Sequence, residues 1–209
     1  MYIPKANEET RLPVLHEFMR THPLASLVTM GAAGMIASHI PLVLAEDGSE
    51  FGLLQGHISR ANTQWKELDT AMDALAIFSG DHHYITPSWY PMKQETGKVV
   101  PTWNYCVVHA YGPMRLIEDA AWLSAHLETL TDLHESAYPV PWKMADAPAE
   151  FIAALLNGII GLEIPIRRLE GKWKVSQNRN AQDRAGVAQG LGSLDTPASL
   201  AMRRLVEEA

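Results

Sequence analysis

The sequence predicts a mainly β, α+β fold: a small antiparallel barrel with helices at its ends. Three observations carry this. Six or more short runs of β-branched, aromatic and aliphatic residues are separated by polar, Gly-containing turns. Only a few helical patterns interrupt them. No Gly-rich strand-to-helix turn of the Rossmann or Walker kind occurs, so a doubly wound sheet is disfavoured and side chains must hold any phosphate that binds.

The elements follow in order. Between Glu9 and Arg20, Leu12, Leu15, Phe18 and Met19 stand near helical spacing, with Glu9 or Thr10 where a cap belongs. After His22-Pro23, the runs 24–30 and 35–44 flank a Gly31 to Gly34 turn and read as a hairpin, with Pro41 marking an edge or bulge. Strands are expected at 51–57, 74–78, 82–85 and 105–117, the last interrupted at Gly112-Pro113, and a short helix is expected around Trp65 and Leu68. The second half opens with the clearest helix, 119–134, whose Trp122, Leu123, His126, Leu127, Leu130 and Leu133 form one stripe behind an Asp119 N-cap. A Pro-bounded linker, a helix at 149–157 stopped by Gly158, and strands at 159–166 and 169–176 follow. The tail shows helical stretches at 183–189 and 197–208, parted by Gly190-Leu-Gly-Ser193.

Composition narrows the function. The chain has 209 residues, enough for one generous domain, and a formal charge of −7, which argues against a broadly basic nucleic-acid or anionic-membrane surface. Its single cysteine, Cys106, excludes an intramolecular disulfide and fits a reducing cytoplasm. No leader pattern or membrane-length apolar run is present, so a cytoplasmic protein is expected. Nine histidines invite a metal reading, yet none are paired at the helical spacing of a zinc site, and no metal is expected.

Four segments carry candidate chemistry. Ser88 to Tyr105 crowds two Trp, two Tyr, two Pro, two Lys and Asn104 into a run without core periodicity, which suits a flat, polar-edged, anionic ligand or a Pro-braced cluster closing a barrel end. Gly56-His-Ile-Ser-Arg-Ala-Asn62 leads from a strand into the Trp65 turn. There Ser59, Arg60 and the following amides converge on an anion or simply cap the turn. Ala37-Ser-His-Ile-Pro41 sets His39 where it would meet His57 across a sheet. In Gly171 to Asn178, Lys172, Lys174 and Ser176 alternate with Trp173 and Val175, as on an edge strand or a contact surface. No nucleophile elbow and no DNA-reading helix is found.

Together, His22-Pro-Leu-Ala25, Ala37-Ser-His-Ile-Pro-Leu42, Gly56-His-Ile-Ser-Arg-Ala-Asn62, Pro87-Ser-Trp-Tyr-Pro91, Lys98-Val-Val-Pro-Thr-Trp-Asn-Tyr105 and Gly171-Lys-Trp-Lys-Val-Ser-Gln-Asn178 resemble the PaiB family of FMN-binding negative transcriptional regulators. The resemblance implies a six-stranded antiparallel FMN-binding split barrel over residues 1–184, a helical tail over 185–209, FMN as cofactor, and a homodimer with the flavin between subunits. It implies that Ser59 and Arg60 grip the FMN phosphate and that His39, Ile40, Pro41 and Leu42 pass the flavin ring. His57, Asn62, Trp103, Asn104, Tyr105, Lys174 and Gln177 enter the site through motif membership. Thr63 and Met92 depart from the pattern, where Pro and Ser are expected. Negative regulation of transcription follows from the resemblance, although the acidic charge gives direct DNA contact little support. A flavin reductase or pyridoxamine-phosphate-oxidase-like enzyme, with His57 or His109 as first guesses for a base, and a haem-binding protein are the alternatives on the same fold.

Overall fold

The computed structural model describes residues 1–209. Ten strands in two antiparallel sheets and six α-helices follow one another along the chain. They are β1 (Glu8–Glu9), α1 (Leu12–Thr21), β2 (Leu24–Gly31), β3 (Gly34–Pro41), β4 (Val43–Ala45), β5 (Leu53–Ser59), β6 (Ala74–Ile85) and α2 (Met92–Thr96). Then come β7 (Thr102–Gly112), β8 (Arg115–Ile117), α3 (Ala120–Glu135), α4 (Ala149–Leu156), β9 (Ile159–Pro165), β10 (Arg168–Lys174), α5 (Ala181–Leu194) and α6 (Pro197–Glu207). The chain forms two compact units, one of residues 19–78 and 110–169, the other of residues 1–18, 79–109 and 170–209.

In the first unit the strand orders are β6-β2-β3 and β4-β5-β9-β8. The β2–β3 hairpin is in register from Leu24 opposite Pro41 to Gly31 opposite Gly34, and the turn relies on Gly34 at φ 119°. Pro41 ends β3, because a residue without an N–H cannot continue a ladder. Strands β5 and β9 pair from Leu53 opposite Pro165 to Ser59 opposite Ile159. Period two puts Leu54, Ile58, Ile160, Leu162 and Ile164 on the buried face. The opposite face carries Gln55, His57, Gly161 and Glu163, and α3 lies over it. A side chain at Gly161 would stand 2.4 Å from the Trp122 ring, so the missing Cβ is what seats the helix. Asp119 caps α3 by accepting from the Trp122 N–H at 2.7 Å, as expected from its sequence.

The second unit has the strand order β1-β10-β7-β6. Phe18 meets Trp173 edge-on at 5.0 Å between ring centroids. Cys106 and Val108 are buried on β7, and burial pushes the Cys106 thiol up to about 12. Helices α5 and α6 bury Val187, Leu191, Met202 and Val206.

Several expectations are corrected. Glu9 does not cap a helix: it sits in β1 and takes three bonds from the Arg11 guanidinium, which lowers its carboxyl pKa. The helix expected at Trp65 is a single 3₁₀ turn at 63–65. Its Gln64 amide is buried and donates to the Leu27 and Ile36 carbonyls and the Thr29 hydroxyl. The runs 74–78 and 82–85 are one strand. Residues 190–193 do not break the tail, because α5 continues to Leu194. Gly190 lies against the Trp89 indole, where an added Cβ would come within 2.3 Å, so it is a packing glycine rather than a stop.

Candidate functional site

The exposed end of β5 is the best-built site in the first unit. Its backbone is fixed on both sides of Arg60: the Arg60 N–H donates to the Gly158 carbonyl at 2.9 Å, and the Trp65 indole donates to the Arg60 carbonyl at 3.2 Å. Asn62 locks the next turn, accepting from the Gln64 N–H at 2.9 Å and donating to the Ser38 hydroxyl at 2.8 Å. Ser59 accepts from the Ala61 N–H at 3.2 Å. On this rigid frame the Arg60 guanidinium is about one-third exposed and already holds an anion, the Glu118 carboxylate, at 3.0 Å. A hydroxyl and a guanidinium fork on pinned backbone are a donor set that fits a phosphate monoester.

Two residues before Ser59, His57 meets a partner that its sequence context did not suggest. Its Nδ1 lies 3.2 Å from Nε2 of His126, and Trp122 stacks on the His126 ring at 5.2 Å with 17° between planes. His126 is 4 % exposed and its Nδ1 has no partner. A buried bare N–H costs more than a bare lone pair, so we assign the shared proton to His126 Nε2, leaving His126 Nδ1 as the unprotonated nitrogen. Burial, then the nearby His57 charge, lowers the His126 pKa to about 4, and burial lowers that of His57. Trp122 also donates to Glu163 at 3.1 Å, and Gln55 donates to the same oxygen at 3.0 Å. The expected His39–His57 meeting is therefore absent: the His39 ring bonds the Ser26 hydroxyl at 3.0 Å on the exposed face of the hairpin. Ile40 and Leu42 are buried, while Pro41 is half-buried at the end of β3.

The remaining predicted residues belong to the second unit. Asn104, 1 % exposed, donates to the Ser176 hydroxyl at 2.9 Å, and Ser176 takes a left-handed φ of 67° to meet it. Lys174 donates to the Thr102 hydroxyl and, at 2.8 Å, to the Trp103 carbonyl, and burial lowers its pKa. Gln177 accepts from the Val175 N–H at 2.8 Å and donates to the Ala6 carbonyl at 2.9 Å. These contacts brace the 174–177 turn. Trp103 is 54 % exposed, with Tyr84 and His82 at 5.9 and 6.1 Å between centroids, and Tyr105 stacks beneath Lys172 at 5.1 Å. Trp103, Tyr84 and His82 thus form an exposed aromatic group.

Sequence reasoning missed Glu118, the bond between Ser176 and Asn104, and the role of His126. The spacing of Trp122 and His126, four residues apart on one stripe, was a usable signal for the last. No group of three or more His, Cys, Asp or Glu is placed to hold a metal ion. No helix is long and apolar enough to cross a membrane.

Residues 1–168 match the model of the family described as "Putative FMN-binding domain". The chain is 36 % identical over 243 residues to an uncharacterised protein of Emericella nidulans, covering 100 % of this chain and 97 % of the relative. It is 30 % identical over 208 residues to the protease synthase and sporulation protein PAI 2 of Bacillus subtilis, with the same coverage. Among solved structures, the FAD and heme binding protein of Mycobacterium smegmatis superposes with a TM-score of 0.60 at 16 % identity, covering 80 % of this chain and 73 % of that one. The flavocytochrome Anf3 of Azotobacter vinelandii gives a TM-score of 0.58 at 13 % identity over 82 % and 72 %. The chain belongs to the FMN-binding family that includes the PaiB-type proteins, its fold is the flavin-binding split barrel, and its cofactor is FMN.

Proposed function

We propose that this chain is a homodimeric, cytoplasmic flavoprotein that takes part in negative regulation of transcription, with FMN held by its phosphate at Ser59 and Arg60. The observation that carries the phosphate assignment is the Arg60–Glu118 pair: a carboxylate already occupies the position in which a phosphate oxygen would meet a guanidinium on fixed backbone. The Arg60 guanidinium, released from Glu118, and the Ser59 hydroxyl would be the side chains that hold the phosphate. FMN, when bound, supplies a ring that accepts and releases electrons. The exposed Trp103 and Tyr84 rings offer stacking surface for such a ring in an assembly of two chains.

The regulatory half is supported by similarity along the whole chain to the Bacillus subtilis protein, whose name links it to protease synthase and sporulation. The formal charge of −7 favours action through a partner over direct reading of DNA.

Titration of FMN into cofactor-stripped protein, followed by flavin fluorescence with riboflavin as the phosphate-free control, tests the site. FMN should bind much more tightly than riboflavin. Arg60→Ala should weaken FMN alone by roughly 1.5–3 kcal/mol, the scale of a hydrogen bond to a charged group. Equal FMN affinity in the two proteins would remove Arg60 from the site. Sedimentation of the loaded protein tests the dimer, and a monomer at micromolar concentration would refute it.

A further inference from the structure

Helix α4 breaks the usual rule for an apolar helix. Its sequence, Ala-Glu-Phe-Ile-Ala-Ala-Leu-Leu, is apolar almost all the way round, a pattern that normally marks a helix enclosed by protein. Yet none of its residues is buried, and Phe151 and Leu155 are 54 % and 52 % exposed. The segment before it repeats the anomaly, with Tyr138 at 62 %, Val140 at 87 % and Trp142 at 43 % exposure. So much contiguous apolar sequence at the surface is the mark of a contact face.

The face has a shape. Between α3 and α4 runs a groove of about 520 Å³, floored by Ser124, Met144, Ile152, Ala153 and Leu156. Alanines along its length leave room for an incoming side chain, and Met144 can repack around it. A second hollow of about 270 Å³ continues it, sharing Glu128, Met144 and Ala145 and adding Thr131, Asp132 and Lys143.

The face also has a sign. Glu128 and Asp132 form one wall and Glu150 stands on α4, and none of the three is held in a salt bridge. Lys143 is the one cation among the lining residues. An apolar groove with an unneutralised acidic rim is complementary to a helix that carries an apolar stripe flanked by Lys or Arg. The rim repels anionic lipid headgroups. It does not match α6 of a second copy, where Arg203 and Arg204 are offset by Glu207 and Glu208.

We propose that the α3–α4 groove is a docking site for a basic amphipathic helix of a partner protein. Apolar side chains of that helix enter over Ala153 and Met144, and its cations meet Glu128, Asp132 and Glu150. The proposal rests on the groove and its charge, and stands whether or not Arg60 holds FMN.

The probe is a fluorescent synthetic peptide of about four helical turns, with Leu on one stripe and Lys on the other face; a control keeps the stripe and replaces Lys by Glu. Anisotropy should show the basic peptide binding at least about tenfold more tightly than the acidic one, and losing affinity as salt rises. Ala153→Arg, an exposed change to a good helix former that fills and recharges the groove, should abolish the preference while FMN binding stays as in wild type. Equal binding of both peptides, or a preference unaffected by Ala153→Arg, would overturn the assignment. So would self-association of the unmodified chain that Ala153→Arg removes, because the groove would then be an interface between copies.

Discussion

Replacing His126 by Leu should flatten the acid limb of the stability curve. In the native protein the His126 pKa stands at about 4 against an ordinary 6.5, since charging the ring would bury a cation beside His57 and under Trp122. A histidine whose folded pKa is depressed binds its proton more readily when unfolded. Its contribution is therefore intact above about pH 6.5, declines as pH falls, and is gone below about 4. At 1.36 kcal/mol per pKa unit the gap is worth at most roughly 3 kcal/mol, and somewhat less in practice because part of it requires His57 to be charged too. His126→Leu keeps the bulk and removes the titration. Urea unfolding of both proteins at pH 7, 6, 5 and 4 measures the effect, and carboxylates such as Glu9 cancel in the difference. Wild type should lose about 1–3 kcal/mol more than the variant between pH 7 and 4. Parallel curves would show that the pair either stays neutral at no cost or breaks without consequence, and the account of how α3 is seated would fail.

Three further outcomes follow from the packing and the charges. Gly161→Ala should cost about 1–3 kcal/mol, because the new methyl meets the Trp122 ring at 2.4 Å, and a change in Trp fluorescence should accompany the lower melting temperature. Asn104→Ala should cost about 2 kcal/mol or more, leaving the buried Ser176 hydroxyl without its partner on a strained backbone; an unchanged melting temperature would disprove this bracing role. Glu118→Gln should tighten FMN binding by about two- to fivefold at low salt, the worth of a half-exposed competing pair, and leave riboflavin unaffected. Weaker FMN binding in Glu118→Gln would mean that Glu118 aims Arg60 rather than competing for it.

What could be read from the sequence was what local chemistry decides. Asp119 and the stripe behind it specify α3 without help from the rest of the fold, and alternation about the Gly31 to Gly34 turn specifies the β2–β3 hairpin. Motif order was enough to reach the family. Distant packing was not legible. Gly190 and Gly192 carry the signature of a helix stop, yet α5 runs through them because the Trp89 indole needs the space beside Gly190. His57 and His126 are 69 residues apart in sequence, and the one local signal, Trp122 four residues before His126, points to a stacked ring and not to His57. Ser176 stands at a left-handed position that glycine or asparagine would normally advertise, and only its bond to Asn104 accounts for it. Around Ser59 and Arg60 the local bonds, from the Ala61 N–H to Ser59 and from the Trp65 indole to the Arg60 carbonyl, lie within the motif, whereas the Gly158 carbonyl that holds the Arg60 N–H is distant in sequence. Glu118, supplied by the residue before the α3 cap, was not legible from that motif.

The buried thiol of Cys106 makes the chain its own reporter. With its pKa near 12, almost no thiolate exists at neutral pH, and its position inside the β7 layer bars reagents from reaching it in the closed state. As the one cysteine in the sequence, it has no rival for a maleimide or a disulfide probe. The rate at which it reacts is thus a clock for openings of β7, readable by mass without any engineered label. Added FMN or a docked peptide would slow that clock only to the extent that it holds this strand shut.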